Sequence, residues 1–138
     1  MEIIRKEELE KAFSHEYRQY LTGHLERPQR FLQHIDDDIE IGISYYDRFT
    51  ADVPHMHPIA TEHSYIMQGK MRIKLLDGSN AEFELKEGDF FVLRPGIPYA
   101  TKNAAETKVF FIKSPGLNDK TIVKIDEKTE KWLSAWEE

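Results

Sequence analysis

The chain has 138 residues, of which 40% are hydrophobic and 32% charged, the balance of one folded soluble domain with too little length for two. The formal net charge of −6 argues against nucleic acid or anionic lipid as a partner, and no stretch approaches the ~20 apolar residues of a membrane helix. Cysteine is absent, so disulfides, a thiol nucleophile and thiolate metal ligands are all excluded.

The N-terminus, MEIIRKEELEKAF, is acidic and amphipathic and lacks the apolar core of a secretory signal, so a cytoplasmic location is expected. Ile4, Leu9, Phe13, Tyr17 and Leu21 fall near helical spacing, which predicts a helix over residues 4–21 within an N-terminal helical extension of about 1–30. Gly23 and Pro28 end it. Asp36-Asp37-Asp38 reads as a solvated turn. From Ile39 the period changes to two: Ile39, Ile41 and Ile43 alternate with Glu40, Gly42 and Ser44, and Tyr45, Tyr46 and Phe49 prolong the strand. Residues 63–68 and 71–76 form a hairpin around Gly69-Lys70. Asp77-Gly78 is a second turn, and residues 81–85 alternate again. The apolar run Phe90–Leu93, bounded by Gly88 and Pro95, predicts a strand buried on both sides. Residues 108–112 are another strand, and residues 127–136 a short amphipathic helix with Trp132, Leu133 and Trp136. The centre is therefore all-β, with the short, evenly spaced strands of a sandwich or barrel.

Chemistry concentrates at His55-Met56-His57 and Glu62. On an extended chain, residues i and i+2 face the same way, so both imidazoles share a face. Pro58 turns the chain, and Glu62 enters the next strand. Two imidazoles and a carboxylate on one face make a facial triad suited to a divalent ion with open positions. The same residues are also consistent with two surface histidines beside a proline. His63 faces away from Glu62 on a strand, and His15, His24 and His34 have no ligand spacing.

Residues 55–69, H-M-H-P-I-A-T-E-H-S-Y-I-M-Q-G, resemble the first motif of the cupin superfamily at His55, His57, Glu62 and Gly69. After 18 residues, G-D-F-F-V-L-R-P-G-I-P-Y-A-T-K-N resembles the second motif at Gly88, Gly96 and Asn103. Arg94 stands where that motif often has proline. Tyr99 stands in the place of its histidine, which in the family is the fourth metal ligand. The resemblance implies an all-β, cupin-type antiparallel β-barrel or jelly roll over about residues 39–113. Length gives a single domain of residues 1–138, the patterns above place short helices at both ends, outside the resemblance, and the resemblance implies a homodimer.

The same resemblance implies a divalent transition metal (Fe, Mn, Ni, Co or Zn) on His55, His57 and Glu62. Tyr99 is the candidate catalytic residue, with three roles open: direct ligand, hydrogen-bond partner of a metal-bound water or substrate, or wall of a metal-free pocket. Tyr65, Phe91, Tyr99 and Phe111 are candidate pocket aromatics, and Arg94, Lys102 and Lys113 candidate contacts for an anionic substrate. The expected function is a metal-dependent enzyme on a small polar substrate, with carbohydrates among the candidates, and with isomerase, epimerase or dioxygenase chemistry. The alternative is a noncatalytic module that binds or senses a small ligand.

Overall fold

The computed structural model describes residues 1–137. A short helix α1 (Lys6–Phe13) precedes eleven strands: β1 (Arg18–Thr22), β2 (Glu40–Tyr46), β3 (Thr50–Ala51), β4 (His55–Met56), β5 (Thr61–Gln68), β6 (Lys70–Leu75), β7 (Glu82–Lys86), β8 (Phe90–Leu93), β9 (Tyr99–Asn103), β10 (Thr107–Ser114) and β11 (Thr121–Ile122). A second helix, α2 (Glu127–Leu133), follows. One sheet runs β1-β2-β10-β5-β8; the other runs β11-β4-β9-β6-β7, with β3 also against β9. All named strand pairs are antiparallel. The two sheets form the cupin-like jelly roll that the motifs imply. No helix among the described residues is long and apolar enough to cross a membrane.

Alternation decides what faces inward. Along β2, Glu40, Gly42, Ser44 and Tyr46 are buried, while Ile41 and Ile43 are half-exposed on the outer face. Along β10, Thr107, Val109, Phe111 and Lys113 are the buried set. The apolar core (Tyr46, Ile66, Met71, Ile73, Leu93, Tyr99 and Val109) fills only part of the interior. Charged and polar residues share the rest, as expected where a barrel keeps a binding cavity. Gly69 ends β5 at φ +85°, and a Cβ there would collide with Thr107. Thr107 Oγ1 in turn bonds both the N–H and the carbonyl of Lys70. The hairpin expected around Gly69-Lys70 is instead a corner: β5 pairs with β10 and β8 in one sheet and β6 with β7 and β9 in the other, so the two strands do not pair with each other.

Several expectations are corrected. The predicted helix over 4–21 stops at Phe13, where Ser14 caps it by donating its hydroxyl to the Lys11 carbonyl. Residues 18–22 instead pair with β2. Tyr17 and Leu21 satisfy a period of two as well as one near four, and pairing with β2 decides between them. The barrel therefore extends beyond 39–113, to β1 on one side and β11 on the other. The C-terminal helix spans Glu127–Leu133 rather than 127–136.

Strand β8 is the end of its sheet and is not buried on both sides: Phe90 is 56% and Val92 40% exposed. Phe90 and Val92 face outward, where no element of the described chain covers them, while Phe91 and Leu93 face the interior. The acidic run does form a turn, with the Asp36 carboxylate accepting from the Asp38 N–H.

Helix α2 is capped by Asp126, which accepts from the Thr129 N–H at 2.8 Å. It buries Trp132, whose indole N–H donates to Glu82. Beneath it Lys102, on β9, donates to the carbonyls of Trp132 (2.8 Å) and Ala135 (2.9 Å). A cation at a helix C-terminus satisfies orphan carbonyls and the helix dipole. Lys102 is therefore a structural clasp and not a contact at the cavity mouth. Arg94 is exposed and lies outside the cavity lining.

Candidate functional site

Strand β4 is short but doubly held: His55 pairs with Tyr99 of β9 on one side and with Ile122 of β11 on the other. That pairing turns His55 and His57 to the same inner side, each 8% exposed, with ring centroids 5.1 Å apart. Glu62, on β5, also lines the cavity, whereas its neighbour His63 faces out towards the Phe90 ring. The three residues of the first motif are thus brought together.

Each imidazole is anchored through Nδ1. His55 Nδ1 lies 2.7 Å from the Val53 carbonyl, and His57 Nδ1 lies 2.8 Å from Asp119 Oδ1. A carbonyl and a carboxylate only accept, so both Nδ1 atoms carry the proton and both Nε2 lone pairs are left for the interior. Asp119 is a clamp. Its other oxygen accepts from the N–H groups of Ile59 (2.9 Å) and Ala60 (2.8 Å). Burial opposes ionisation of Asp119, but the Ala60 and Ile59 N–H groups and His57 outweigh it and hold its pKa below the ordinary value. Burial lowers the pKa of His55 despite the Val53 hydrogen bond, which favours neutral imidazole.

Tyr99 stands at the centre. Its hydroxyl is 2.8 Å from His55 Nε2 and 3.1 Å from Glu62 Oε2, and His57 Nε2 is 3.8 Å from that same carboxylate oxygen. One phenolic proton thus meets two acceptors. Burial and the Glu62 carboxylate push the Tyr99 pKa well above its ordinary value, so the phenol is held neutral.

The donor set fits a divalent ion in kind and orientation. Imidazoles anchored through Nδ1 to a carbonyl or carboxylate, with Nε2 presented inward, are arranged as metal-binding histidines are. The spacing does not yet close around one point: the Tyr99 hydroxyl stands between His55 and Glu62. Among the described residues no three histidine or carboxylate side chains are placed to hold an ion together. Holding one on His55, His57 and Glu62 requires the phenol to swing aside or to join the ligands.

The site opens into a cavity of about 1160 Å³. Phe91, Tyr99 and Phe111 line it as expected. Tyr65 does not: it is 45% exposed on the outer face, because Ser64 and Ile66 take the inward positions of β5. Lys113 lines the cavity and forms an ion pair with Glu40 at 3.2 Å. Arg18 also lines it, donating to Ser44 Oγ (2.9 Å) and the Tyr46 hydroxyl (3.2 Å), with Asp52 3.5 Å away. Sequence reasoning missed Arg18, Asp52 and Asp119. The helical reading of residues 4–21 hid Arg18, and Asn118-Asp119 reads only as a turn.

The model of the family described as Cupin matches residues 50–135, more than half of the chain. No curated protein matches. Solved structures do, at identities that speak for the fold alone. A Bacillus halodurans protein has a TM-score of 0.60 at 13% identity, covering 87% of this chain and 86% of its own. KdgF from Halomonas sp. has a TM-score of 0.55 at 21% identity, covering 73% and 89%. Streptomyces Pac13, described as a nucleoside dehydratase, has a TM-score of 0.57 at 12% identity, covering 70% and 78%. With both motifs on adjoining strands of one jelly roll and a family match over most of the barrel, this chain belongs to the cupin family.

Proposed function

We propose that this cupin is a metal-dependent enzyme that moves a proton on a small polar substrate, by isomerase or epimerase chemistry, with a carbohydrate as the substrate class to test first. The observation that carries the reading is the Tyr99 hydroxyl at the cavity, 2.8 Å from His55 and 3.1 Å from Glu62. A neutral phenol at the cavity, released from His55 and Glu62 when these turn to the ion, is a proton donor to a bound substrate. Isomerisation and epimerisation both turn on moving a proton, which such a donor serves directly.

His55, His57 and Glu62 would hold the ion. Bound there, a divalent metal supplies Lewis-acid polarisation of a substrate oxygen. The chain supplies the rest. Asp119 fixes the His57 ring, Val53 fixes the His55 ring, and Tyr99 holds the transferable proton at its Oη. Phe91 and Phe111 provide an apolar wall that limits water around it.

Protein purified without an affinity tag should carry about one divalent ion per chain by elemental analysis, and His57→Ala should lose it. A wild-type protein that neither retains nor takes up Mn, Fe, Co, Ni or Zn sinks the metal-dependent reading. A metal-free form of the same proton transfer is the second reading, favoured by the position of the phenol between His55 and Glu62.

The outer face of the five-stranded sheet supports the homodimer implied by the family. Ile43, Phe110, Tyr65 and Phe90 stand in one cross-strand row, and Ile41, Ile112, His63 and Val92 in the next. Helix α1 covers the β1 end, where Gln19 donates to the Ala12 carbonyl, but no described element covers the β8 end. A second copy placed across a two-fold axis would bury these rows and the open β8 edge. Sedimentation velocity should therefore give a dimer for the wild type and a monomer for Phe90→Glu; a monomeric wild type at micromolar concentration refutes the proposal.

A further inference from the structure

Arg18, on β1, and Asp52, between β3 and β4, stand side by side on the cavity wall. The Arg18 guanidinium lies 5.2 Å from the ring centroid of Tyr17 and 5.8 Å from that of Phe111. Ring contacts of this kind orient the planar fork. Its Nε donates to Ser44 Oγ at 2.9 Å, and Nη2 to the Tyr46 hydroxyl at 3.2 Å. Asp52 is held through its backbone, where its N–H donates to the Thr101 carbonyl at 3.2 Å. The proton chemistry assigned to Tyr99 uses neither side chain.

The two groups are neighbours without being closed on each other. A guanidinium and a carboxylate taken out of water normally meet at about 2.7–2.9 Å, often through two parallel hydrogen bonds. Here the contact is 3.5 Å. The hydroxyls around the carboxylate are distant too: Tyr46 at 3.1 Å, Thr101 at 3.4 Å and Tyr17 at 3.5 Å. A hydroxyl on an ionised oxygen ordinarily comes to about 2.5–2.7 Å. A donor and an acceptor thus share one spot with bonding capacity to spare. Each also keeps exposed surface, 29% for Arg18 and 16% for Asp52. A group that both donates and accepts completes the two together. A hydroxyl does so with one atom, whereas an ionised carboxylate cannot donate to Asp52.

The charge of the lining points the same way. Among the described residues it carries six carboxylates (Glu16, Glu26, Asp37, Glu40, Asp52 and Glu62) and four Lys or Arg side chains. Arg18–Asp52 and Lys113–Glu40 cancel, and Glu62 stays negative beside the neutral Tyr99 phenol. A divalent ion on His55, His57 and Glu62 would bring the total to zero and no further. An anionic substrate therefore meets no surplus positive charge with the ion or without it. The distance to the phenol also suits a sugar. Thr101, which reaches Asp52, is two residues from Tyr99 on β9, and both line the cavity. Two residues of strand cover about 7 Å, the span of one monosaccharide.

We infer that Arg18 and Asp52 form the recognition pair for neighbouring hydroxyls of an uncharged sugar, Arg18 donating to one oxygen and Asp52 accepting from the hydroxyl beside it. This rests on reading the cavity as the site of a carbohydrate substrate, and it narrows that class to neutral sugars over sugar acids. The pair sets specificity: it holds one end of the sugar while the other lies at Tyr99.

The test measures binding to the full chain, with and without added Zn(II), so that it depends neither on turnover nor on the ion. D-Glucose, D-galactose and D-mannose are each titrated against the matching uronate at fixed ionic strength, and shifts of ¹⁵N-labelled backbone resonances are followed. At least one neutral sugar should shift the amides of residues 18–22, 50–53 and 99–103 and bind at least about tenfold tighter than its uronate. The monodeoxy analogues of that sugar locate the contact. The analogue lacking the recognised hydroxyl should lose at least about tenfold in the wild type and less than about threefold in Asp52→Asn. A variant that had merely loosened the fold would weaken every analogue alike. Arg18→Lys keeps the charge, loses the fork and should blunt the same selectivity. Melting curves check that both variants fold, and the comparison of sugar with uronate needs neither.

Uronates that bind as tightly as the neutral sugars overturn the inference, as does a deoxy penalty unchanged in both variants. Failure of all three sugars to bind overturns it as well. Each of these results leaves metal uptake, and the reading built on it, to stand on its own measurement. A chain that takes up no metal but binds a neutral sugar through Asp52 keeps the inference and loses the metal-dependent reading.

Discussion

Tyr99→Phe is expected to lower turnover at saturating substrate by about 100-fold or more, with KM changed by less than about threefold. The substitution keeps the ring, which packs among buried residues with Tyr99 only 4% exposed, and removes the one proton that lies between His55 and Glu62. The loss should therefore fall on the chemical step rather than on binding. Stability should fall modestly, by about 1–3 kcal/mol, because two acceptors lose a buried donor. That separation matters: a phenol with only a packing role would lower the melting temperature and leave kcat intact. Retention of kcat within about twofold in a folded Tyr99→Phe protein removes Tyr99 from the chemistry.

Asp119→Ala should damage the site without touching either histidine. The carboxylate accepts three hydrogen bonds, from His57 Nδ1 and from the N–H groups of Ile59 and Ala60. The Ala60 and His57 donors are buried or nearly so, and leaving them unpaired costs about 1–3 kcal/mol each. The Ile59 residue is 59% exposed, so water can replace the acceptor there. A fall in melting temperature of about 10 °C follows for a domain of this size. The second expected effect is a 10–100-fold loss of metal affinity, because the freed His57 ring no longer presents Nε2 inward. Asp119→Asn keeps one acceptor oxygen and should fall between Ala and wild type on both measures. Wild-type melting and metal uptake in Asp119→Ala would show that the clamp is incidental.

Much of this was legible in the residues. The pattern His55, His57, Glu62, Gly69 and the later Gly88, Gly96, Asn103 identify the fold because each glycine answers a backbone need: all three have positive φ. Periodicity of two located β2 and β7, and turn signals bounded β5 and β6, with small errors at their ends. It could not say which face of β2 is the interior. The isoleucines suggest one answer and the structure takes the other, because this barrel lines its cavity with Glu40, Ser44 and Tyr46.

Strand β1 was illegible for a different reason. Tyr17 and Leu21 serve two periods at once, and only pairing with β2, a long-range contact, selects the strand. Asp119 was hidden because its partner lies 62 positions earlier in the chain. No local signal marks a turn residue as a clamp on a distant imidazole.

That separation also sets an order of events during synthesis. Helix α1 and the pairs β1–β2, β5–β8 and β6–β7 can form before β10 and the segment after it exist. His57 meets Asp119, and His55 meets Ile122, only once residues 119–122 have emerged. Contacts of such long sequence separation form late because the loop between them must first be closed. The nascent chain therefore carries His55, His57 and Glu62 with neither ring fully fixed until residues 119–122 have been made. A chain cut before Asp119 should display these side chains with the His57 ring unclamped.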